Sequence, residues 1–510
     1  MRPEDPASVV PAASEAAAAR PDPKRRAGLF VLAFGSGFAV LTIEIAGARM
    51  IAPVFGLSAV PWTAVIGVIL TALAVGSHLG GRLADRGGVP LASILAAAGA
   101  TGILPVVGAA VPWILRDALG FVPGAVASAL VLFAPSVLCL GAVVPYLVKA
   151  DTDSLGSIGR RAGDLSAAAT GGSIAGSFAT GFVLLPALPL PVLMATTAGA
   201  LLLLALLSAR LLGGAPASGA ALLAGAVGLG AAAWAASHPA PGVLHQEQTL
   251  YAAVQVTERA WSDGRVVREL WQNGGSSSAE HVDDWTPAHD YVTVSVDLLE
   301  PRLADLRSML VLGGAALSLP VRFTDLAPRL RADVVEVDPA VTDLAWRYFA
   351  AGHESRPRIH VVHDDARVHL RSSEARYDVV YLDVFDHLLT VPWTLVTREA
   401  MEAFAARLEP GGVFMANVLS PLEGPGATFL ARLQATLESV FPATKIFLVD
   451  PELDGRVTQN LIVVGALDAD ALPRGDRPLA QVRAEGRPFT DAWAPVEYLQ
   501  AKVFFQGLGW

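Results

Sequence analysis

Four runs in the second half of the chain end in residues able to hold or activate a small charged molecule. Ser-Met-Leu-Val-Leu-Gly at 308–313 opens into the small-residue turn Gly313-Gly314-Ala315-Ala316, and Val-Val-Glu-Val-Asp-Pro at 334–339 delivers Glu336 and Asp338. Asp364-Asp365-Ala366 follow the run at 359–363, and Leu382-Asp383-Val384-Phe385-Asp386 follow a fourth. A turn without side chains lets a ligand approach the backbone, and an acid roughly 20 residues further on suits ribose hydroxyls. Many acids and no phosphate-binding Lys or Arg point to a cationic ligand. A sulfonium nucleoside fits: one acid on the ribose diol, another near the adenine, and a negative field for the sulfur. A carboxylate at the end of the fourth run can also take a proton from a nucleophile.

Such residues need strands to carry them. Strands are expected near 308–313, 332–337, 359–363, 378–383, 412–417 and 444–449, alternating with amphipathic helices. That is the pattern of a mostly parallel, doubly wound sheet, whose ligands sit beyond the C-terminal strand ends. Residues 249–273 read as a β-meander turning at Asp263-Gly264 and Asn273-Gly274.

The first half is of another kind. The chain is 53% hydrophobic and only 16% charged, with a mean hydropathy of +0.49. These values fit an integral membrane protein with a soluble part. Apolar stretches long enough to cross a bilayer, at about 20 residues each, lie near 28–52, 58–81, 89–114, 121–148, 165–188, 190–210 and 217–236. Small residues at Gly76-x3-Gly80 and Gly172-x3-Gly176 would let helices approach closely. The expected fold class is therefore an N-terminal all-α polytopic transmembrane domain, then a small β-meander, then a Rossmann-like (class I methyltransferase-like) α/β domain. The boundaries are a disordered cytoplasmic tail at 1–26, about seven membrane helices over 27–237, a β-rich subdomain over 238–304 and the Rossmann-like domain over 305–510.

Lys24-Arg25-Arg26, Arg82, Arg86, Lys149, Arg160, Arg161 and Arg210 fall in alternate loops, which places the N-terminus in the cytoplasm of a cell (inner) membrane. An odd number of spans then puts the C-terminal domain outside. The cytoplasmic origin of a sulfonium nucleoside argues the reverse, and a cytoplasmic C-terminal domain is the expectation taken here. Within the spans Glu44 and His78 are ionisable and so functional suspects, whereas Arg49 is close enough to an end to snorkel. Gly81-Arg82-Leu83-Ala84-Asp85-Arg86 looks like a loop of major-facilitator transporters, but the span count falls short of such a transporter. The single cysteine, Cys139, excludes a disulfide framework or a cysteine-based metal site. The net charge of −10 argues against nucleic acid as a partner.

The motif order over about 245–500 resembles that of spermidine synthases, the polyamine aminopropyltransferases, and most of all their membrane-fused, transporter/spermidine synthase branch. The resemblance rests on Val334–Pro339, Asp365-Ala366-Arg367, Tyr377–Asp386, Leu408-Glu409-Pro410-Gly411-Gly412-Val413 and Thr490–Glu497. It implies transfer of an aminopropyl group from decarboxylated S-adenosylmethionine to putrescine or a related amine, with methylthioadenosine released and no metal. Carried over residue by residue, it implies Gly313, Gly314, Glu336, Asp365 and Ala366 around the nucleoside. Asp383 becomes the catalytic acid–base, with Asp386 and Tyr291 on the amine. The implied partners are the lipid bilayer and a small amine, with a homodimer left open. The chain departs from the family at the first turn, where Ala316 replaces an acid, at Ser276-Ser277-Ser278 in place of a Gln, and at His289-Asp290-Tyr291, a partial echo of Tyr-His-Glu. The nucleoside half is kept and the amine half altered. Two alternatives therefore stand beside aminopropyl transfer: methyl transfer from S-adenosylmethionine, and a non-catalytic nucleoside or polyamine sensor.

Overall fold

Long apolar stretches become helices because the helix satisfies every backbone polar group internally. In the computed structural model, residues 23–56, 59–151, 158–213, 225–228, 230–231, 234, 241–349, 356–385, 390–474 and 476–502 are described. The first helix, Pro23–Phe55, packs along Ile158–Ala179. A Cβ on Gly172 would lie 1.9 Å from the Phe34 carbonyl oxygen, and one on Gly37 would lie 2.0 Å from that of Ala169. Only glycine permits so close an approach. Gly76 and Gly80 play the same part against Leu138 and Ala142, as the small-residue spacing anticipates.

Among the described residues, five helices are long and apolar enough to cross a membrane: Pro23–Phe55, Pro61–Arg86, Ala134–Asp151, Ile158–Ala187 and Leu190–Leu212. A sixth arises if Leu91–Val107 and Val111–Leu119, bent by 72°, form one broken span. Of the seven expected stretches, 89–114 and 121–148 are interrupted, and 217–236 lies largely outside the described residues. The 89–114 stretch breaks at Gly108 between Pro105 and Pro112. The 121–148 stretch divides into Phe121–Leu132, Ala134–Gly141 and Val143–Asp151, with Pro135 and Pro145 near the starts of the later pieces. Proline lacks the N–H that would continue the hydrogen-bond ladder, a defect invisible to a hydropathy window. Most of the 1–26 tail lies outside the described residues, but residues 23–26 are already helical. Of the 217–236 stretch, residues 225–228 are helical, with Gly225 against Leu202 and Gly228 against Ile103.

The second half of the chain begins with an antiparallel meander of β1 (Val243–Gln248), β2 (Ala253–Ala260), β3 (Val266–Gln272) and β4 (Gly275–His281). Seven further strands form one sheet: β5 (Ser308–Leu312), β6 (Arg331–Val335), β7 (Ile359–Val362), β8 (Tyr377–Leu382), β9 (Leu408–Ser420), β10 (Ala443–Leu448) and β11 (Gln459–Ala466). Their order is β10-β11-β9-β8-β5-β6-β7. β11 runs antiparallel to both neighbours, and the other pairs are parallel. The central strands are covered on both faces, so they read as continuous apolar runs rather than alternating ones. The helix Asp290–Leu298 contributes to one of these covering layers.

The two parts meet at the far end of the first helix. Asn273 (φ 49°) and Gly274 (φ 82°) make the tight hairpin turn between β3 and β4. That turn rests on the Pro53 carbonyl, 2.0 Å from where a Gly274 Cβ would be. Arg49 Nη2 donates to the Leu250 carbonyl at 2.9 Å, so the arginine expected to snorkel instead ties the helix to the meander.

Candidate active site at the strand ends

Parallel register puts the chemistry in one row. Leu312 pairs with Val335 on one side and Leu382 on the other, and Leu382 pairs with Ala416. The residues one step beyond, Glu336, Gly313, Asp383 and Asn417, therefore lie side by side at strand spacings of about 4.8 Å. Between β5 and β8 the winding reverses, and that crevice is where a doubly wound sheet binds ligands. A cavity of about 550 Å³ opens there, bounded by the meander on one side and by the 392–395 segment on another.

Gly313 has φ +92°, and a Cβ on it would fall 2.2 Å from the Asp383 carbonyl oxygen. Gly313→Ala is expected to lower stability through backbone strain of about 1–3 kcal/mol and to abolish binding of the nucleoside expected from the sequence. Thermal unfolding and calorimetry on the full chain check this, and a variant as stable as wild type with intact binding would refute it. Gly314 and Ala315 donate their N–H groups to Glu336 Oε2 at 2.9 and 3.2 Å, while Asp338 N–H reaches Oε1 at 3.0 Å. Burial raises the Glu336 pKa, and these three donors pull part of the shift back. The carboxylate thus fixes the glycine turn and still faces the cavity.

Asp365 also lines the cavity, and one of its oxygens caps the helix Ala366–Ser372 by accepting from Val368 N–H at 2.9 Å. Ala366 begins that helix and touches the same space. Asp383 accepts from the Tyr291 hydroxyl at 2.8 Å and from Asn417 Nδ2 at 3.0 Å. Burial raises its pKa to about 6 against the lowering effect of both donors. The same burial, together with the charge of Asp383, keeps the Tyr291 hydroxyl protonated. Asp386 lies outside the described residues, as do His387-Leu388-Leu389.

Asn417 and Asn460 line the same cavity and were not singled out by the strand-end pattern. Asn460 Nδ2 donates to Asn417 Oδ1 at 2.9 Å, so Asn417 presents its amide NH2 to Asp383. The available signal was a polar residue inside the apolar run Phe414-Met415-Ala416-Asn417-Val418. Neutral polar groups stand beside the acids on the meander side of the cavity. Ser276 Oγ lies 3.1 Å from His289 Nε2, and burial lowers the pKa of that imidazole. Ala316, where the family carries an acid, is wholly buried and donates its N–H to Ser278 Oγ at 3.2 Å. Among the described residues lining the cavity there are six acids (Glu336, Asp338, Asp364, Asp365, Asp383 and Glu497) and no Lys or Arg. No group of three or more metal-binding side chains occurs among the described residues.

Strand order and crevice define a Rossmann-like, methyltransferase-type domain with a mixed sheet. Comparison with known proteins narrows the class. Residues 290–453 match the family model for the spermine/spermidine synthase domain. A polyamine aminopropyltransferase of Vibrio vulnificus is 26% identical over 228 residues, covering 43% of this chain and 72% of that protein. One from Mycobacterium tuberculosis is 37% identical over 150 residues, 28% of each chain. The human eEF1A lysine and N-terminal methyltransferase is 30% identical over 168 residues, 31% of this chain and 23% of that one. These last two matches span less than a third of the relatives' own lengths. Among solved structures, a probable spermidine synthase from Corynebacterium glutamicum superposes with a TM-score of 0.38 at 23% identity, over 49% of this chain and 98% of that one. The family match and the aminopropyltransferase relatives show that the C-terminal region is similar to the spermine/spermidine synthase domain.

Proposed function

We propose that the chain is a membrane-bound aminopropyltransferase that moves an aminopropyl group from decarboxylated S-adenosylmethionine to a small amine. The observation that carries this reading is that six acids and no Lys or Arg stand among the described residues lining a cavity at the topological switch point. A cavity with that lining attracts a sulfonium and an ammonium and repels phosphates. Its volume, about 550 Å³, suits a nucleoside with a short amine beside it. Glu336 and Asp365 are assigned to the nucleoside. Asp383 holds the attacking amine and receives its proton. The amine nitrogen forms a bond to the methylene next to sulfur, the carbon–sulfur bond breaks, and methylthioadenosine leaves neutral. Alignment of the two substrates supplies the remaining acceleration.

Membrane attachment is supported by large apolar side chains on the outside of the helical part, among them Phe178, Phe182 and Leu203, which are 62%, 69% and 67% exposed. In water such surface would be unstable; in lipid it is the expected exterior.

Methyl transfer from S-adenosylmethionine is the second reading. Ala316 supplies no carboxylate for an aminopropyl ammonium, and one relative's name is that of a methyltransferase. Incubating the full-length protein with each labelled nucleoside and a panel of amines tests both. Labelled aminopropylamine is the expected product. A methylated product overturns the first reading for the second, and binding without turnover makes the domain a sensor.

A further inference from the structure

We propose that the cavity works on the extracytoplasmic face of the bilayer. On the reading above, its amine comes from that side, and a nucleoside made in the cytoplasm must first be carried across by a transport step. The argument starts from the first helix. At 33 residues it is about 50 Å long, more than the roughly 30 Å hydrocarbon core of a bilayer. Its two ends therefore mark the two faces.

The N-terminal end gathers the basic loops. Arg26 pairs with Asp164 at 3.1 Å, Lys149 with Asp85 at 3.5 Å and Arg161 with Asp151 at 3.4 Å. Arg25 donates to the Ala150 carbonyl at 3.2 Å, which joins the first helix to the same group of loops. Leu190–Leu212 also returns to this end, where Leu211 lies against Gly28. Short loops rich in Lys and Arg stay in the cytoplasm.

The soluble domain is at the other end. Pro53 touches the Asn273-Gly274 turn and Arg49 holds the Leu250 carbonyl. Arg116, which marks the same end, donates to the Val54 carbonyl at 2.8 Å. Between Leu212 and Val243 the chain has to pass from the basic end to the domain's end, and residues 225–228 lie beside Leu202 and Ile103 on that path. The geometry thus opposes the cytoplasmic placement that the substrate's origin favours.

Labelling with a membrane-impermeant maleimide tests this in whole cells expressing the full chain. In a Cys139→Ala background, Ser262→Cys marks the exposed turn between β2 and β3, and Val89→Cys marks a loop at the basic end. Ser262→Cys is expected to label in intact cells and Val89→Cys only after permeabilisation. The opposite pattern overturns the proposal. A reporter enzyme fused after Trp510 keeps Cys139 in place and serves if the cysteine-free chain does not fold. Activity of a reporter that works only outside the cytoplasm supports the proposal, and activity only of a cytoplasmic one defeats it. No substrate is needed for either measurement, so they stand apart from the product assay that tests the nucleoside reading.

Discussion

Asp383→Asn is expected to remove turnover while nucleoside affinity stays nearly unchanged. The amide has almost the same shape, and its oxygen still accepts from Asn417 or Tyr291, the two donors now on the carboxylate. What it cannot do is take a proton from the attacking amine, so general-base help of roughly 10²–10⁴-fold should vanish. The same residue sets an acidic limb. With its pKa raised to about 6 by burial, wild-type kcat/KM should fall as pH drops through that value, because the base becomes protonated. The sign for stability is opposite. A carboxyl group with a raised folded-state pKa contributes stability that is fully present below its unfolded pKa and lost as pH rises through the folded one. Asp383→Asn should therefore be no less stable than wild type at pH 8, which separates a chemical defect from a folding defect. If Asp383→Asn keeps the wild-type rate, the carboxylate serves only as an acceptor for Tyr291 and Asn417.

The strand ends were readable because both their cause and their consequence are local. An apolar run followed by Gly or an acid is a buried parallel strand leaving the sheet, and Glu336 and Asp383 follow directly from that rule. Asp365 shows its limit: the same placement also makes a helix cap, and the structure has one of its oxygens capping. Asn417 and Asn460 were missed because their role depends on adjacency across β9 and β11, strands separated by about forty residues of sequence and paired antiparallel only in the folded sheet. In the helical part, composition marked the apolar stretches and Gly spacing marked the tight contacts. Pro105, Pro112, Pro135 and Pro145 decided where those stretches break, which average hydropathy does not register. The joint at Pro53, Gly274 and Arg49 was illegible for a related reason. A glycine in a hairpin turn is explained by its own positive φ, so nothing in the sequence announces that the first helix leans on it.

Glu336→Ala should weaken nucleoside binding about tenfold to a hundredfold, the effect of losing a charged hydrogen bond of roughly 1.5–3 kcal/mol. The residue has two tasks, and the variants must separate them. Its oxygens hold the N–H groups of Gly314, Ala315 and Asp338, so truncation also frees the turn that lets the ligand approach β5. Glu336→Gln keeps one oxygen for those amides and loses the charge, but its NH2 must face at least one N–H donor. It should bind more weakly than wild type and more tightly than Glu336→Ala. Calorimetry with the sulfonium nucleoside gives the ranking, and hydrogen exchange at Gly314 reports whether the turn has loosened. A turn that loosens in Glu336→Ala without any change in affinity would remove Glu336 from the binding site and leave it a support for the glycine turn alone.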